Sequence, residues 1–346
     1  MIDSQRIQDA HTLLARHFGP TRLVRAASLS TAGHDVFLKL ETDLPTGSFK
    51  VRGAMYSLSV RLARGAVRAV GAVRAVAVGD GVNAVPYIEE VVCASTGNHG
   101  AAVAYAAQLL NIPATIFLPI NPNPVKAARI RDLGARIVES GVDLSAAIDA
   151  ASEYAANAPA FFLHDASDPD VPAGTATIGL EIIDQLPDVD VIYVPMGDTA
   201  LVRGVASAAK QRRSSIRIVG VVAERAPAYL LSWRETGARG LGLGAGWVVE
   251  TATCDTIADG LAIRRPLTSN VAAIRELVDD VVAVSEQEMI AAINLLYARE
   301  QVIAEPAGAA ATAALLKQPT AARTSVVLVT GSNIAPDLRP RAAGPD

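Results

Sequence analysis

Between residues 89 and 223 short apolar runs alternate with longer amphipathic ones, and this rhythm restricts the fold more than any other feature of the chain. EEVVCAS (89–95), ATIFLP (114–119), ARIVES (135–140), DVIYVPMG (190–197) and RIVGVVA (217–223) read as strands, with AFFLH (160–164) a further strand-like piece. Helical periodicity falls between them, in HGAAVAYAAQLLN (99–111), PVKAARIRDLG (124–134), DLSAAIDAASEYAANA (143–158), TATIGLEIIDQL (175–186) and LVRGVASAAKQRR (201–213). Apolar strands joined by helices require a parallel sheet covered on both faces, because each crossover lays a helix on the sheet. The flanks fit the same α/β class. Residues 4–17 read as an amphipathic helix opened by Ser4, VFLKLE (36–41) as an extended stretch, and the segment just past Gly47 and Ser48 as a helix. Downstream, VAVSEQEMIAAINLLY and AEPAGAAATAALLK read as helices and TSVVLVTGSN (324–333) as a last buried strand. GAVRAV occurs twice in tandem over 65–76. Two copies of six residues are too few for a solenoid and read as a duplication lengthening a surface helix or loop.

Composition narrows the setting. The 346 residues are 51% hydrophobic yet only 4% aromatic, so a large aliphatic core is available and disorder is excluded. Mean hydropathy is positive at +0.30, but charged residues, glycine or proline interrupt every apolar stretch before it could span a bilayer. With a net charge of −4 and no basic stripe, nucleic acid is not the expected partner. Two cysteines, Cys93 and Cys254, make neither a disulfide framework nor a metal cluster. The polar N-terminus, MIDSQRIQDAHTLL, carries no apolar signal segment, so a cytoplasmic location is expected.

Four places carry chemistry. Lys50, in PTGSFKVRGA, opens a helix between Phe49 and Val51. Desolvation and the positive helix end both disfavour its ammonium, and a neutral amine is what Schiff-base chemistry with a carbonyl cofactor needs. The bland alternative is a lysine snorkelling to the surface. In CASTGNHG (93–100) a strand turns sharply into a helix, and its amides with Ser95, Thr96 and Asn98 suit a carboxylate. A plain helix cap explains the same residues, and His99 fits either a base or a structurally satisfied histidine. MGDTALVRG (196–204) is again a strand ending at a helix start, where amides after Gly197 can hold a phosphate. It is neither a dinucleotide fingerprint nor a P-loop. In LVTGSN (328–333) a buried strand delivers Thr330 to a turn, as a hydrogen-bonding group or simply as a strand cap.

Taken in this order, KLETDLPTGSFKVRGA, ASTGNHGAAVAYAAQLLNIPATIFLP, PVKAARIRDLGARIV, TIADGLA and EPAGAAA resemble the tryptophan-synthase-β fold (fold type II) of pyridoxal-phosphate enzymes, in its serine/threonine dehydratase branch. The resemblance runs from about residue 20 to 335. It implies two open, twisted, mostly parallel sheets with helices on both faces. A large cofactor-binding domain, 1–81 with 158–346, would receive a small movable substrate-carboxylate domain, 82–157. By the same resemblance Lys50 carries pyridoxal 5′-phosphate and, once freed by substrate, removes the α-proton. Phe49 packs on the cofactor ring, and Asn98 bonds its 3-hydroxyl. Ser95, Thr96, Gly97, Asn98 and His99 hold the substrate carboxylate. Gly197, Asp198, Thr199, Ala200 and Leu201 occupy the phosphate loop, and Thr330 faces the pyridine nitrogen. A hydroxyl there leaves the ring a weaker electron sink than an aspartate would, which favours β-elimination.

Departures from the family pattern matter. Its phosphate loop is nearly all glycine, whereas this one contains Asp198, whose charge repels a phosphate unless the carboxylate turns outward as a helix cap. The family's GQGT-like stretch is here Gly174-Thr175-Ala176-Thr177. Glu224 stands where relatives place a divalent-cation ligand, but the companion position is Leu230, so no metal is expected. Thr96 keeps a hydroxyl where racemases of this fold carry serine and plain dehydratases alanine. The stretch after the last strand is short, so no C-terminal regulatory domain is expected. The expected activity is α,β-elimination on a small β-hydroxy amino acid, threonine or serine before 3-hydroxyaspartate, in a homodimer without membrane or nucleic-acid partners. β-Replacement or racemisation on the same fold, or a non-catalytic binding protein with a decayed phosphate loop, stand as alternatives.

Overall fold

Strand β10 (Thr324–Val329) has parallel partners on both sides, as its unbroken apolar sequence demands. The computed structural model describes residues 1–65, 88–95, 97–122, 124–235, 248–318 and 320–340. The tandem repeat from residue 66 onward and the side chain of Thr96 lie outside them. The chain divides into two units, Met1–Phe49 with Pro172–Asp346, and Lys50–Val171; the second is wider than the expected 82–157.

In the first unit a six-stranded sheet runs β1 (Leu23–Arg25), β2 (Asp35–Leu40), β10, β7 (Val191–Pro195), β8 (Arg217–Ala223), β9 (Asp280–Val284). Only the edge strand β1 is antiparallel. Alternate residues feed two cores. Val327 and Val329 pack in one with Met289 and Leu296 of α10 (Glu286–Glu300); Val326 and Leu328 pack in the other with Leu201 and Ile274. The second core is covered by α6 (Val171–Gln185), α7 (Ala200–Arg212), α8 (Ala228–Arg234) and α9 (Thr268–Leu277). The alanine-rich α11 (Pro306–Lys317) is buried along its first ten residues. It lies so close to the end of β10 that a Cβ on Gly308 would sit 2.4 Å from the Gly331 carbonyl oxygen, which only glycine accommodates.

The second unit has an all-parallel sheet in the order β5 (Arg136–Glu139), β4 (Ala114–Leu118), β3 (Glu90–Ala94), β6 (Ala160–Phe162). Its helices are α2 (Lys50–Ala63), α3 (Asn98–Leu109), α4 (Pro124–Asp132) and α5 (Leu144–Asn157). Ala147 and Ala151 of α5 pack on Val92 and Phe117.

Two readings need correction. Helix α1 (Ser4–Leu14) is capped not by Ser4 but by Asp3, whose carboxylate accepts from the amides of Gln5 and Arg6. The VAV of VAVSEQEM belongs to β9 rather than to the helix, which starts after a capping box of Ser285 and Glu288.

Candidate active site

In the Lys50–Val171 unit, Lys50 is the first residue of α2 and its side chain is only 13% exposed. Its Nζ lies 2.6 Å from Oδ2 of Asp165, in the loop after β6. Burial favours the neutral amine, and this adjacent carboxylate opposes it. Nδ1 of the buried His99 lies 3.7 Å from the same oxygen. Its Nε2 is 3.0 Å from the Leu163 carbonyl, which can only accept, so Nε2 carries a proton and the ring is anchored. Burial first, and then the charge of Asp165, push the Cys93 thiol up, leaving it inert.

The contact between Lys50 and Asp165 sits on a rigid mount. Arg61, further along α2, reaches Asp168 at 2.6 Å and Asp170 at 3.1 Å, with its guanidinium 3.9 Å from the Phe161 ring centroid. Asp168 Oδ1 also accepts from the amides of Asp170 and Val171, both at 2.9 Å. Gly53 lets α2 approach Val171, since a Cβ there would fall 2.7 Å from Val171 Cγ1. Helix and loop are thereby tied at three points.

The β3–α3 turn is built as expected for a tight helix entry. Ser95 Oγ accepts from the Gly97 amide at 3.2 Å, and Gly97 occupies the helix cap without a side-chain bond of its own. Asn98 then opens α3.

The remaining expected residues lie in the first unit. The Phe49 amide donates to the Thr330 carbonyl at 3.1 Å, and the Phe49 ring packs against the core that contains Leu328. Thr330 is buried, with a long 3.4 Å bond from its hydroxyl to the Ala307 carbonyl. The loop from Gly197 to Leu201 is closely packed: Leu201 belongs to the core, and Thr199 takes a left-handed φ of 76°, costly for a β-branched residue. Thr199, not Asp198, stands at the N-cap of α7; Asp198, one residue earlier, accepts from the Ala200 amide through Oδ1 at 2.8 Å and is buried rather than turned outward. Asn270 fastens the loop from behind, donating to the Asp198 carbonyl at 3.2 Å. Burial pulls the Arg203 guanidinium down from its ordinary value, and the Asp198 charge opposes that pull. Thr175 and Thr177 lie within α6 and give their hydroxyls to backbone carbonyls, Thr175 to Ala200 at 2.8 Å and Thr177 to Gly174 at 2.7 Å. Glu224 is engaged by Lys317 at 2.8 Å, and Leu230 is buried.

A family model described as "Pyridoxal-phosphate dependent enzyme" matches residues 14–331. The chain belongs to this family. It is 34% identical to an L-threonine ammonia-lyase of Geobacter sulfurreducens, over 96% of this chain and 76% of that one. Among solved structures it resembles maize serine racemase, with TM-score 0.82 and 27% identity over 97% and 94% of the two chains. It also resembles the processed form of threonine deaminase isoform 2 from Solanum lycopersicum, with TM-score 0.80 and 27% identity over 97% and 87%.

Membership makes pyridoxal phosphate the cofactor, and the residues fit that group. The Lys50 amine is nearly buried at a helix start, a setting that suits a lysine bonded to a carbonyl cofactor once the amine is free of its carboxylate. The Ser48 hydroxyl, two residues before Lys50, is buried without a hydrogen bond and suits an oxygen-rich ligand. The carboxylate on the Ala200 amide is the feature of this pyridoxal-phosphate enzyme that works against a phosphate. Asp165 and Arg61 escaped the sequence reading, because an acid in HDASDPD looks like ordinary loop polarity until the fold brings it to a lysine 115 residues away. Among the described residues no helix is long and apolar enough to cross a membrane, and no group of three potential ligands could hold a metal ion.

Proposed function

We propose that the protein is an ammonia-lyase acting on a small β-hydroxy amino acid of the threonine or serine type. The observation that carries this reading is the Lys50 amine, nearly buried and fixed at a helix start, in a chain 34% identical to an L-threonine ammonia-lyase. The overall change removes ammonia from the α-carbon and the β-hydroxyl as water, and one water returns to give a 2-oxo acid. When bound, the cofactor supplies an electron-withdrawing ring that acidifies the substrate α-C–H.

The chain's own residues divide the rest. Lys50 attaches the cofactor and, once released, takes the α-proton. The amides and hydroxyls of Ser95, Thr96, Gly97, Asn98 and His99 hold the substrate carboxylate, with Asn98 also bonding the cofactor. Gly197, Asp198, Thr199, Ala200 and Leu201 form the phosphate loop, Phe49 packs on the ring, and the Thr330 hydroxyl meets its nitrogen without protonating it. The reading extends to a cytoplasmic homodimer, which light scattering of the purified protein would check.

Incubation with L-threonine and L-serine should release 2-oxobutyrate and pyruvate; no 2-oxo acid from either would sink the lyase reading. The protein should be yellow, and borohydride should fix the cofactor on the Lys50 peptide. A colourless protein that cannot be reconstituted would favour a non-catalytic binding role instead. Serine racemisation is the second reading, supported by the likeness to maize serine racemase at TM-score 0.82. Chiral analysis of recovered serine separates the two.

A further inference from the structure

Asp165 sits on the amine to which the proposed function assigns the central role, and the loop that carries it is not free to swing. The amides of Ser167 and Asp168 bond back to the His164 carbonyl at 3.2 and 2.9 Å. Asp168 and Asp170 are held by Arg61 from the helix that begins with Lys50. A carboxylate mounted in this way is a fixed charge beside Lys50, since moving it breaks nearly buried ion pairs. We propose that Asp165 is a positioning and selecting residue: it keeps the Lys50 amine charged in the cofactor-free chain, and its own charge rejects substrates with an acidic β-substituent.

The inference rests on Lys50 being the cofactor-bearing lysine and names the substrate class of that site. His99, with Nδ1 at 3.7 Å, and Cys93 on β3 are titratable groups that also face Asp165. His99 holds its Nε2 proton against a carbonyl, and the Cys93 thiol is neutral. Asp165, with Oδ2 at 2.6 Å from Nζ, is a carboxylate in direct contact with Lys50. A substrate α-carbon served by Lys50 comes within about 3 Å of Nζ, which keeps a β-substituent within about 8 Å of Asp165. Two like charges at that distance or closer, at an effective dielectric of about 20, cost roughly thirtyfold or more in kcat/KM. A neutral hydroxyl or a β-ammonium incurs no such cost. Serine-like and threonine-like substrates are favoured, and 3-hydroxyaspartate is disfavoured.

Two measurements test this. In protein stripped of cofactor with hydroxylamine, trace acetic anhydride labelling across pH, read on the Lys50 peptide by mass spectrometry, reports the free amine. Asp165→Asn removes the anion that stabilises the ammonium, so Lys50 should become reactive at lower pH, with about tenfold more labelling near pH 8. Superimposable profiles would overturn the positioning role. In loaded protein, the kcat/KM ratio of L-serine to threo-3-hydroxyaspartate should fall about tenfold or more in Asp165→Asn. It should be retained in Asp165→Glu, which keeps the charge and guards against a general loss of fold. An unchanged ratio in Asp165→Asn would overturn the selecting role. Should the protein release no 2-oxo acid from any substrate, the lyase reading fails, while the labelling profile still decides whether Asp165 governs Lys50.

Discussion

A Cβ placed on Gly197 would lie 2.0 Å from the Gly260 carbonyl oxygen, so the first residue of the proposed phosphate loop and the backbone at 260 exclude any side chain between them. The obstacle is main chain, which cannot rotate out of the way. Gly197→Ala should therefore cost about 3 kcal/mol or more of stability, at or above the usual range for overpacking. Urea unfolding measures this; a midpoint within error of the parent would refute it.

Asp198 occupies the Ala200 amide that a phosphate would need. Asp198→Gly frees that amide and removes a negative charge, while Arg203 remains as a cation nearby. Affinity for 4′-deoxypyridoxine phosphate should rise about tenfold, and that for pyridoxine, which lacks phosphate, should stay unchanged. Calorimetric titration of both ligands checks the difference. Equal affinities in parent and variant would mean that the carboxylate turns aside without cost.

The fully buried Lys39 on β2 pairs with Glu181 of α6 at 2.6 Å and also donates to the Thr21 carbonyl at 2.9 Å. Removing one partner leaves a charge stranded in the core. Glu181→Ala should lower stability by about 3–5 kcal/mol, whereas a double change to Lys39→Met and Glu181→Leu should recover most of the loss. Denaturant midpoints of the three variants give the comparison.

Burial pushes the Cys93 thiol well above its ordinary range, so in the folded chain it stays protonated at pH 8, whereas Cys254 is only partly buried. Ellman's reagent should titrate one thiol rapidly, and mass spectrometry should place it on Cys254. The second should react only when urea opens the fold. Two fast thiols would contradict the packing around β3.

Much of this fold is written in local pattern. Strand β8 occupies 217–223, the range its apolar run suggests, because a strand covered on both faces needs no partner-specific signal. Strand β1 has three residues and an antiparallel edge position, so its sequence carries little periodicity, and α9 sits in a stretch whose polar and apolar residues fit a loop equally well. The site divides in the same way. Lys50, Ser95 and Gly197 stand at turns between periodic segments and are visible by position alone. Asp165 acquires meaning only through pairing of β6 with β3 and the approach of α2 to the following loop, which are tertiary facts. Asp198 reads from the sequence as a cap, whereas the structure puts Thr199 at that position and brings Asn270, far along the chain, onto the Asp198 carbonyl.

Arg61 stands eleven residues from Lys50, about 16 Å along the helix axis, yet its two carboxylate partners set the loop that carries Asp165. A substitution at Arg61 would therefore register in kinetics as if it touched the reacting centre. Random mutagenesis selected for altered substrate range should return hits at Arg61, Asp168 and Asp170 alongside Asp165, and a change at one should be rescued more readily by its partners than by any residue beside the amine. The loop after β6 then behaves as one inherited unit, with its tuning screw three helical turns away.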